Sequence, residues 1–468
     1  MPVKNYTYYD FTISLCPVCL KRIDAKIVFE DGKVYMLKNC QEHGFYKVMI
    51  ADDIDYYKNI RNYNKPSEAP LKTNTKTLYG CPYDCGLCQD HEQHSCLSLI
   101  EITDRCNLTC PTCYAMSSPH YGNHRSLEEV ENMLNIIVEN EGQPDVVQIS
   151  GGEPTLHPQF FEILDVAKRK PIRHLMVNTN GIRIAKDKEF AKRLANYMPD
   201  FEIYLQWDSF KSDALFSLRG KDLSEERKKA IEYLNEYNLS TTLVVTLQKG
   251  LNDDEIGEII NFALKQRCVR GVTFQPTQMA GRLEHFNSQE NRITLTEVRR
   301  KILEQCPIFN PQDLIPVPCN PDALVMGYAL KLNGNVIPLT RYIDPSILLD
   351  NSKRNTIVYE QDAGLHEQLL KIFSTGISVE RVDENMKQLL CCLPEFYAPG
   401  LSYENLFRII IMRFVDAWDF DVRAIKKSCV HIVSKDGRII PFETMNMFYR
   451  DEKESYLKQL QQEKYNAL

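Results

Sequence analysis

From Ser98 onward the chain alternates short apolar runs with amphipathic stretches. The period is roughly 30 residues, the rhythm of βαβ units. The apolar runs are SLIEIT (98–103), DVVQIS (145–150), HLMVNTNG (174–181), FEIYLQWDSF (201–210), STTLVVTLQ (240–248) and GVTFQPTQ (271–278). Between the first two, Ser126 and Glu129 spell a capping box. Leu127, Val130, Leu134 and Ile137 then fall on one face at helical spacing. Residues 187–198, 223–237 and 253–266 are further amphipathic segments. Six parallel strands with helices outside predict an α/β fold, a partial (βα)6 TIM-like barrel over residues 98–280. Ligands in such barrels sit at the C-terminal ends of the strands.

The flanks follow other patterns. AKIVFEDGKVYMLKN (25–39) reads as two alternating strands joined by Asp31-Gly32, a strong hairpin signal. Cys16 and Cys19 precede this hairpin; Cys40 and His43 follow it. Two knuckles bracketing a hairpin have rubredoxin or zinc-ribbon geometry, with these four side chains around one tetrahedral ion. A structural zinc and a mononuclear iron fit the spacing equally. The chain therefore divides into a metal-ribbon domain (1–60), an auxiliary iron–sulfur segment (61–97), the barrel (98–280) and an α+β extension (281–468). In the extension, Thr294 to Glu297 caps a helix and Asn333-Gly334 marks a hairpin. The apolar stretch 406–421 is expected as a helix or strand against the barrel mouth. The extension is expected to cover the substrate and to hold a further cluster.

Composition narrows the class. At 468 residues, 43% hydrophobic and 25% charged, the chain is an ordinary globular protein. A net charge of −7 argues against a broad nucleic-acid footprint. No leader-like segment opens the chain, and no apolar run approaches the ~18–20 residues of a membrane span. Sixteen cysteines stand out, ten of them within residues 16–113. Without a secretion signal, such clustering reads as metal ligation in a reducing cytoplasm, not as disulfides.

The candidate chemistry lies at the strand ends. Cys106, Cys110 and Cys113 follow the first strand as C-x3-C-x2-C. Three thiolates on one tight loop suit three corners of an iron–sulfur cube, although a zinc knuckle or disulfide knot would also use them. Cys81, Cys85 and Cys88 repeat the spacing, with Cys96 eight residues on. Four thiolates saturate a cube, so this set reads as a closed auxiliary cluster; His91 and His94 are alternative ligands nearby. Gly151-Gly152-Glu153-Pro154 ends the second strand, where paired glycines let backbone approach a ligand. Asn178 and Asn180 end the third strand, Gln206, Asp208 and Ser209 the fourth, and Gln275 the sixth. They read either as hydroxyl-binding groups or as strand-end caps. Cys319, Cys391, Cys392 and Cys429 read as another cluster or as buried thiols.

CNLTCPTCY just after a strand, followed one βα unit later by GGEP, resembles the radical S-adenosylmethionine (radical SAM) superfamily. The resemblance implies a [4Fe–4S] cluster on Cys106, Cys110 and Cys113, with its open iron chelated by the amine and carboxylate of S-adenosylmethionine. It implies that Gly151 to Pro154 meet the methionine amine, that Asn178, Asn180, Gln206, Asp208 and Ser209 serve the ribose, and that Gln275 serves the adenosine. It further implies reductive cleavage to a 5′-deoxyadenosyl radical, hydrogen abstraction from an unactivated C–H, and an electron donor such as ferredoxin or flavodoxin. The whole layout, from CPVC and CQEHG through GCPYDCGLC and GGEPTLHP to CCLP and CVHIVSKDGRIIPF, is similar to the group containing the archaeal tetraether lipid synthase. That likeness implies a rubredoxin-like ion, several [4Fe–4S] clusters and radical C–C coupling of lipid alkyl chains, with peripheral membrane contact. The sequence departs from it after Cys319, where Asn320-Pro321-Asp322-Ala323 lacks the expected further cysteine. A radical methylase of a pterin-like small molecule is the alternative. It needs a second S-adenosylmethionine or a cobalamin as methyl source, and no separate cobalamin domain is visible. A third reading, an iron–sulfur electron carrier, leaves an open iron and the GGEP turn without use. A long apolar cavity would favour lipid, a small polar pocket the methylase.

Overall fold

The computed structural model describes residues 5–63, 69–332, 334–341, 403–450 and 453–466. Alternation in the first fifty residues folds into an antiparallel meander of β1 (Thr7–Leu15), β2 (Arg22–Glu30), β3 (Lys33–Cys40) and β4 (Gly44–Ala51). Asp31 and Gly32 turn the central hairpin with φ of 50° and 75°, the doubly positive geometry of a two-residue loop. Ala25, Ile27, Val34 and Met36 point to one face and pack against Tyr57 and Ile60 of the helical segment that follows.

Each of the six apolar runs forms a strand. These are β5 (Leu97–Glu101), β7 (Val146–Ser150), β8 (His174–Thr179), β9 (Phe201–Gln206), β10 (Thr241–Leu247) and β11 (Val269–Pro276), with the two-residue β6 (Thr112–Cys113) inside the cysteine loop. The six pair in parallel and in chain order. The capping box at Ser126 is made on both sides, and the helix it starts, Leu127–Glu141, buries Val130, Leu134 and Ile137 as its spacing requires. With the helices Phe160–Lys168, Lys188–Ala195, Ser224–Glu236 and Ile256–Lys265, it packs into one apolar core with the sheet.

The extension does not leave this sheet. β12 (Arg282–Leu283) pairs with β6; β13 (Ile315–Pro316), β14 (Leu324–Leu332) and β15 (Asn335–Pro338) form an antiparallel edge. β16 (Leu406–Met412) pairs in parallel with β11, β17 (Val430–Val433) in parallel with β5, and β18 (Ile439–Pro441) antiparallel with β17. Eight parallel strands thus stand side by side in the order β16-β11-β10-β9-β8-β7-β5-β17. The 406–421 stretch is a strand through Met412 that extends the sheet, and Met412 and Phe414 at its far end reach the mouth. Phe407, Ile409 and Ile411 are fully buried, because β16 has neighbours on both sides. The ribbon is fastened to the extension: Lys38 Nζ, itself buried, donates to the Ala417 carbonyl (2.7 Å), Thr12 Oγ1 to Asp421 (2.6 Å) and Tyr456 Oη to the Cys19 carbonyl (2.6 Å). Among the described residues no helix is long and apolar enough to cross a membrane.

Candidate active site and metal centres

All eight parallel strands contribute to the wall of one cavity, through Leu99, Gln148, Asn178, Gln206, Thr246, Gln275, Met412 and Val430. Cys106, Cys110 and Cys113 open into it, with Gly151, Gly152, Glu153 and Asn180 beside them. The cysteine loop is held from three sides. The Gly152 amide donates to the Thr103 carbonyl (2.8 Å) and the Glu153 amide to the Arg105 carbonyl (2.9 Å). Asn180 Nδ2 donates to Asn107 Oδ1 (2.7 Å). Arg282 reaches across from β12, giving Nε to the Cys110 carbonyl (2.6 Å) and Nη2 to the Ser117 carbonyl (2.8 Å).

The glycine pair has a reason in packing as well as in ligand approach. A Cβ on Gly151, whose φ is +132°, would overlap the Thr103 carbonyl oxygen; one on Gly152 would overlap that of Arg105. Glu153 is buried, and its carboxylate accepts from Thr155 N (3.2 Å), Thr155 Oγ1 (2.6 Å), Thr179 Oγ1 (2.8 Å) and Asn180 N (2.9 Å). It joins the ends of β7 and β8, although burial pushes its pKa above the usual carboxylate range. Pro154 is buried and opens the 3-10 turn Pro154–Leu156.

Two strand-end candidates have other work. Asp208 does not reach the cavity: Oδ1 accepts from Arg219 Nη2 (2.6 Å) and Thr246 N (3.1 Å), Oδ2 from Arg219 Nε (2.8 Å) and Arg227 Nη2 (2.8 Å). No lone pair is left for a ribose, and the two guanidiniums hold the carboxyl well below its ordinary range. Ser209 donates to Glu255 and also lies off the cavity. The side chain that lines the cavity in their place is Arg219, the last residue of the helix Ser212–Arg219, beside Cys110. Its only signal in the sequence is a basic residue before a helix-ending glycine. Gln206 does face the cavity, and its Oε1 is buried with no hydrogen-bond partner among the described residues. An orphaned acceptor, three convergent thiols and a cradle closed to any Cβ fit an iron–sulfur cluster and a polar ligand together.

The opposite wall comes from the extension. Phe442 stacks near Phe414 (centroids 4.2 Å apart) and edge-on to Tyr114 (4.9 Å), the aromatic that follows Cys113. Arg450 lies over Tyr114 and pairs bidentately with buried Glu101 (2.8 and 2.9 Å). Gln278, also in the cavity wall, donates to the Val415 carbonyl (2.9 Å). Phe442 ends the string CVHIVSKDGRIIPF, whereas Phe414 and Arg450 lie in no motif.

Two tight ligand sets lie elsewhere among the described residues. Cys16, Cys19, Cys40 and His43 meet as the ribbon spacing requires, with Cys19 to Cys40 at 3.8 Å and His43 Nδ1 at 3.6 and 3.5 Å from Cys16 and Cys40. The second set corrects the expected grouping: Cys96 joins Cys319 and Cys429, not Cys81, Cys85 and Cys88. The reason is the sheet, since Cys96 and Cys429 directly precede the paired strands β5 and β17. Cys85 is buried against Cys81. Cys391 and Cys392 lie outside the described residues.

Comparison with known proteins agrees with this arrangement. Residues 100–263 match the model of the radical SAM superfamily, and residues 8–52 that of the HMPTM N-terminal zinc ribbon domain. The chain is 32% identical over 485 residues to 7,8-dihydro-6-hydroxymethylpterin dimethyltransferase of Methanocaldococcus jannaschii, covering 95% of this chain and 94% of that one. It is 28% identical over 325 residues to the antilisterial bacteriocin subtilosin biosynthesis protein AlbA of Bacillus subtilis (67% and 66% covered). It is 26% identical over 210 residues to GTP 3′,8-cyclase of Helicobacter pylori (44% and 64%). Among solved structures, Streptococcus suis SuiB bound to S-adenosylmethionine aligns with a TM-score of 0.38 at 18% identity (45% and 47%). The likeness to a pterin dimethyltransferase runs over 95% of this chain, so the tetraether likeness gives way to it. The chain belongs to the radical SAM superfamily, whose members bind a [4Fe–4S] cluster and S-adenosylmethionine, and within it to the family of the pterin dimethyltransferase.

Proposed function

We propose that this radical SAM enzyme methylates a reduced pterin or a close relative of one, with residues 98–280 curved into a partial barrel around the reacting groups. The observation that carries this reading is the cavity lining. Six carboxamides, Gln148, Asn178, Asn180, Gln206, Gln275 and Gln278, face it. Asn180 (to Asn107 and the Ile182 amide) and Gln278 (to the Val415 carbonyl and Asn446) are already paired within the protein, which leaves four for a ligand. An alkyl chain offers amides no hydrogen bonds, so burying them against lipid would cost about 1–3 kcal/mol for each one left unpaired. The donor and acceptor edge of a pterin can satisfy them, and the aromatic wall of Tyr114, Phe414 and Phe442 suits its flat ring. The full-length likeness to a pterin dimethyltransferase supports the same choice.

A cluster held by Cys106, Cys110 and Cys113 would, when bound, supply the electron for reductive cleavage of S-adenosylmethionine, drawn from a small donor such as a ferredoxin or flavodoxin, and a second S-adenosylmethionine would give the methyl group and leave as S-adenosylhomocysteine. The chain's own residues hold and shield. Cys106, Cys110 and Cys113 ligate, and Arg282, Asn180 and the Gly152 and Glu153 amides fix the loop that carries them. Arg219 places a positive charge beside Cys110. Gln206 offers its unpaired oxygen to a ligand hydroxyl or amine. Phe414, Phe442 and the Arg450–Glu101 pair cover the cavity on the extension side.

The test is a competition between substrate classes. Anaerobic protein is given S-adenosylmethionine, a strong reductant and either 7,8-dihydro-6-hydroxymethylpterin or a dialkyl glycerol lipid, and products are weighed by mass spectrometry. Methylated pterin with no altered lipid is the expected result. Alkyl coupling, or no change in the pterin, overturns the reading.

A further inference from the structure

The second thiol set has the dimensions of a site for one ion. Cys319 and Cys429 Sγ are 3.6 Å apart, and Cys96 Sγ lies within 4.8 Å of both. Four ligands around one tetrahedral ion with metal–sulfur bonds of about 2.3 Å stand about 3.8 Å apart, sulfur to sulfur. The ribbon centre shows the same spacing, 3.8 Å between Cys19 and Cys40. A cube carries its cysteines on separate irons and spreads them wider. Neither Cys106, Cys110 and Cys113 nor Cys81, Cys85 and Cys88 is drawn into such a tight set.

A nitrogen ligand stands next to the trio. His94 Nε2 is 3.5 Å from Cys96 Sγ, the distance at which His43 stands from ribbon thiols, although His94 lies outside the set of three thiols that are all within 4.8 Å of one another. The other ring nitrogen, Nδ1, is 2.9 Å from Glu141 Oε2, and Glu141 Oε1 is itself fixed by the Ser95 amide (3.0 Å). A buried carboxylate on the far nitrogen fixes the tautomer and orientation of metal-binding histidines. Asp145 Oδ2 lies 3.9 Å from the same Nε2. His94, Glu141, Cys96 and Cys429 are all buried.

We propose that Cys96, Cys319, Cys429 and His94 hold a single zinc or iron(II) ion, with Glu141 as the residue that orients His94. The site lies at the opposite end of β5 from the cysteine loop. It pins three separate parts of the chain: the start of β5, the loop before β14 and the start of β17. Its role is to fasten the extension, which supplies the aromatic wall, to the first strand of the sheet.

The test is metal and acid-labile sulfide analysis of the full chain, isolated anaerobically. Wild-type protein is expected to hold two ions per chain beyond the iron matched by sulfide, one for the ribbon and one for this site. A Cys319→Ser, Cys429→Ser variant should lose one ion and no sulfide. His94→Cys should keep the ion and, with cobalt(II) substituted, show stronger thiolate-to-metal absorption than wild type. His94→Ala should bind it at least about tenfold more weakly. A single sulfide-independent ion in the wild type overturns the proposal even if the variants fail to fold. Loss of iron and sulfide in equal amounts from the cysteine variant also overturns it, by assigning a cube. So does an unchanged cobalt spectrum in His94→Cys.

Discussion

At the residue scale, burial decides which polar side chains are available to a ligand. Asp208 looks like a strand-end binding group in FEIYLQWDSF, yet two arginines from later helices consume it. Breaking a buried ion pair strands the partner charges, so Asp208→Ala should destabilise the protein by about 3–5 kcal/mol, read in denaturant unfolding. Gln206, two residues earlier, is the last residue of β9 and keeps an unpaired oxygen in the cavity; Asp208 lies beyond the strand's end, where the alternation of faces no longer sets its direction. The sequence showed both as equal candidates, because which partner arrives from a distant helix is not written locally.

A second residue sets a pH dependence. Glu443 is buried against Ser428 Oγ (2.9 Å), and burial raises its pKa to about 7. Its folded pKa lies above the unfolded value near 4.5, so the stability it contributes is fully present below pH 4.5 and is lost as pH rises through 7. Glu443→Gln should therefore match wild type at pH 4.5 and be more stable at pH 8 by about 3 kcal/mol. Thermal unfolding at the two pH values checks this, and an equal gap at both would count against it.

At the scale of elements, the cysteine loop is a clamp with three jaws. Its C-x3-C-x2-C spacing, the GGEP turn and the six strands were all legible, because each is a local pattern with its own period or spacing. The third jaw was not. Arg282 sits in a two-residue strand just after the barrel pattern ends, and only the fold brings β12 against β6. Residues that orient metal ligands are worth about 10–100-fold in metal affinity or activity. Arg282→Met is expected to lose that much cluster affinity, measured as iron retained after gel filtration, while leaving the ribbon ion in place. Gly152→Ala should do the same, because its methyl group would displace the Arg105 carbonyl that the Glu153 amide binds. Retention of full iron in both variants would show that the clamp is dispensable.

At the scale of the molecule, the extension completes the central sheet on both flanks. β16 and β17 continue the parallel sheet from opposite edges, and Phe414 and Phe442 follow them to the cavity. Long-range pairing of this kind leaves no local trace, which is why 406–412 reads equally as helix or strand. The same distance effect split Cys96 from Cys319 and Cys429 in the sequence, although the sheet brings them together.

The proposed chemistry joins a radical SAM site to a pterin held by carboxamides and aromatic rings. The most direct measurement is 5′-deoxyadenosine release under strong reduction, with and without 7,8-dihydro-6-hydroxymethylpterin, in wild type, Cys106→Ala and Gln206→Leu. Release in wild type that rises with pterin and accompanies its methylation, abolished in Cys106→Ala and weakened in Gln206→Leu, is the predicted result. Release that ignores the pterin, or persists without Cys106, would contradict pterin methylation at this site.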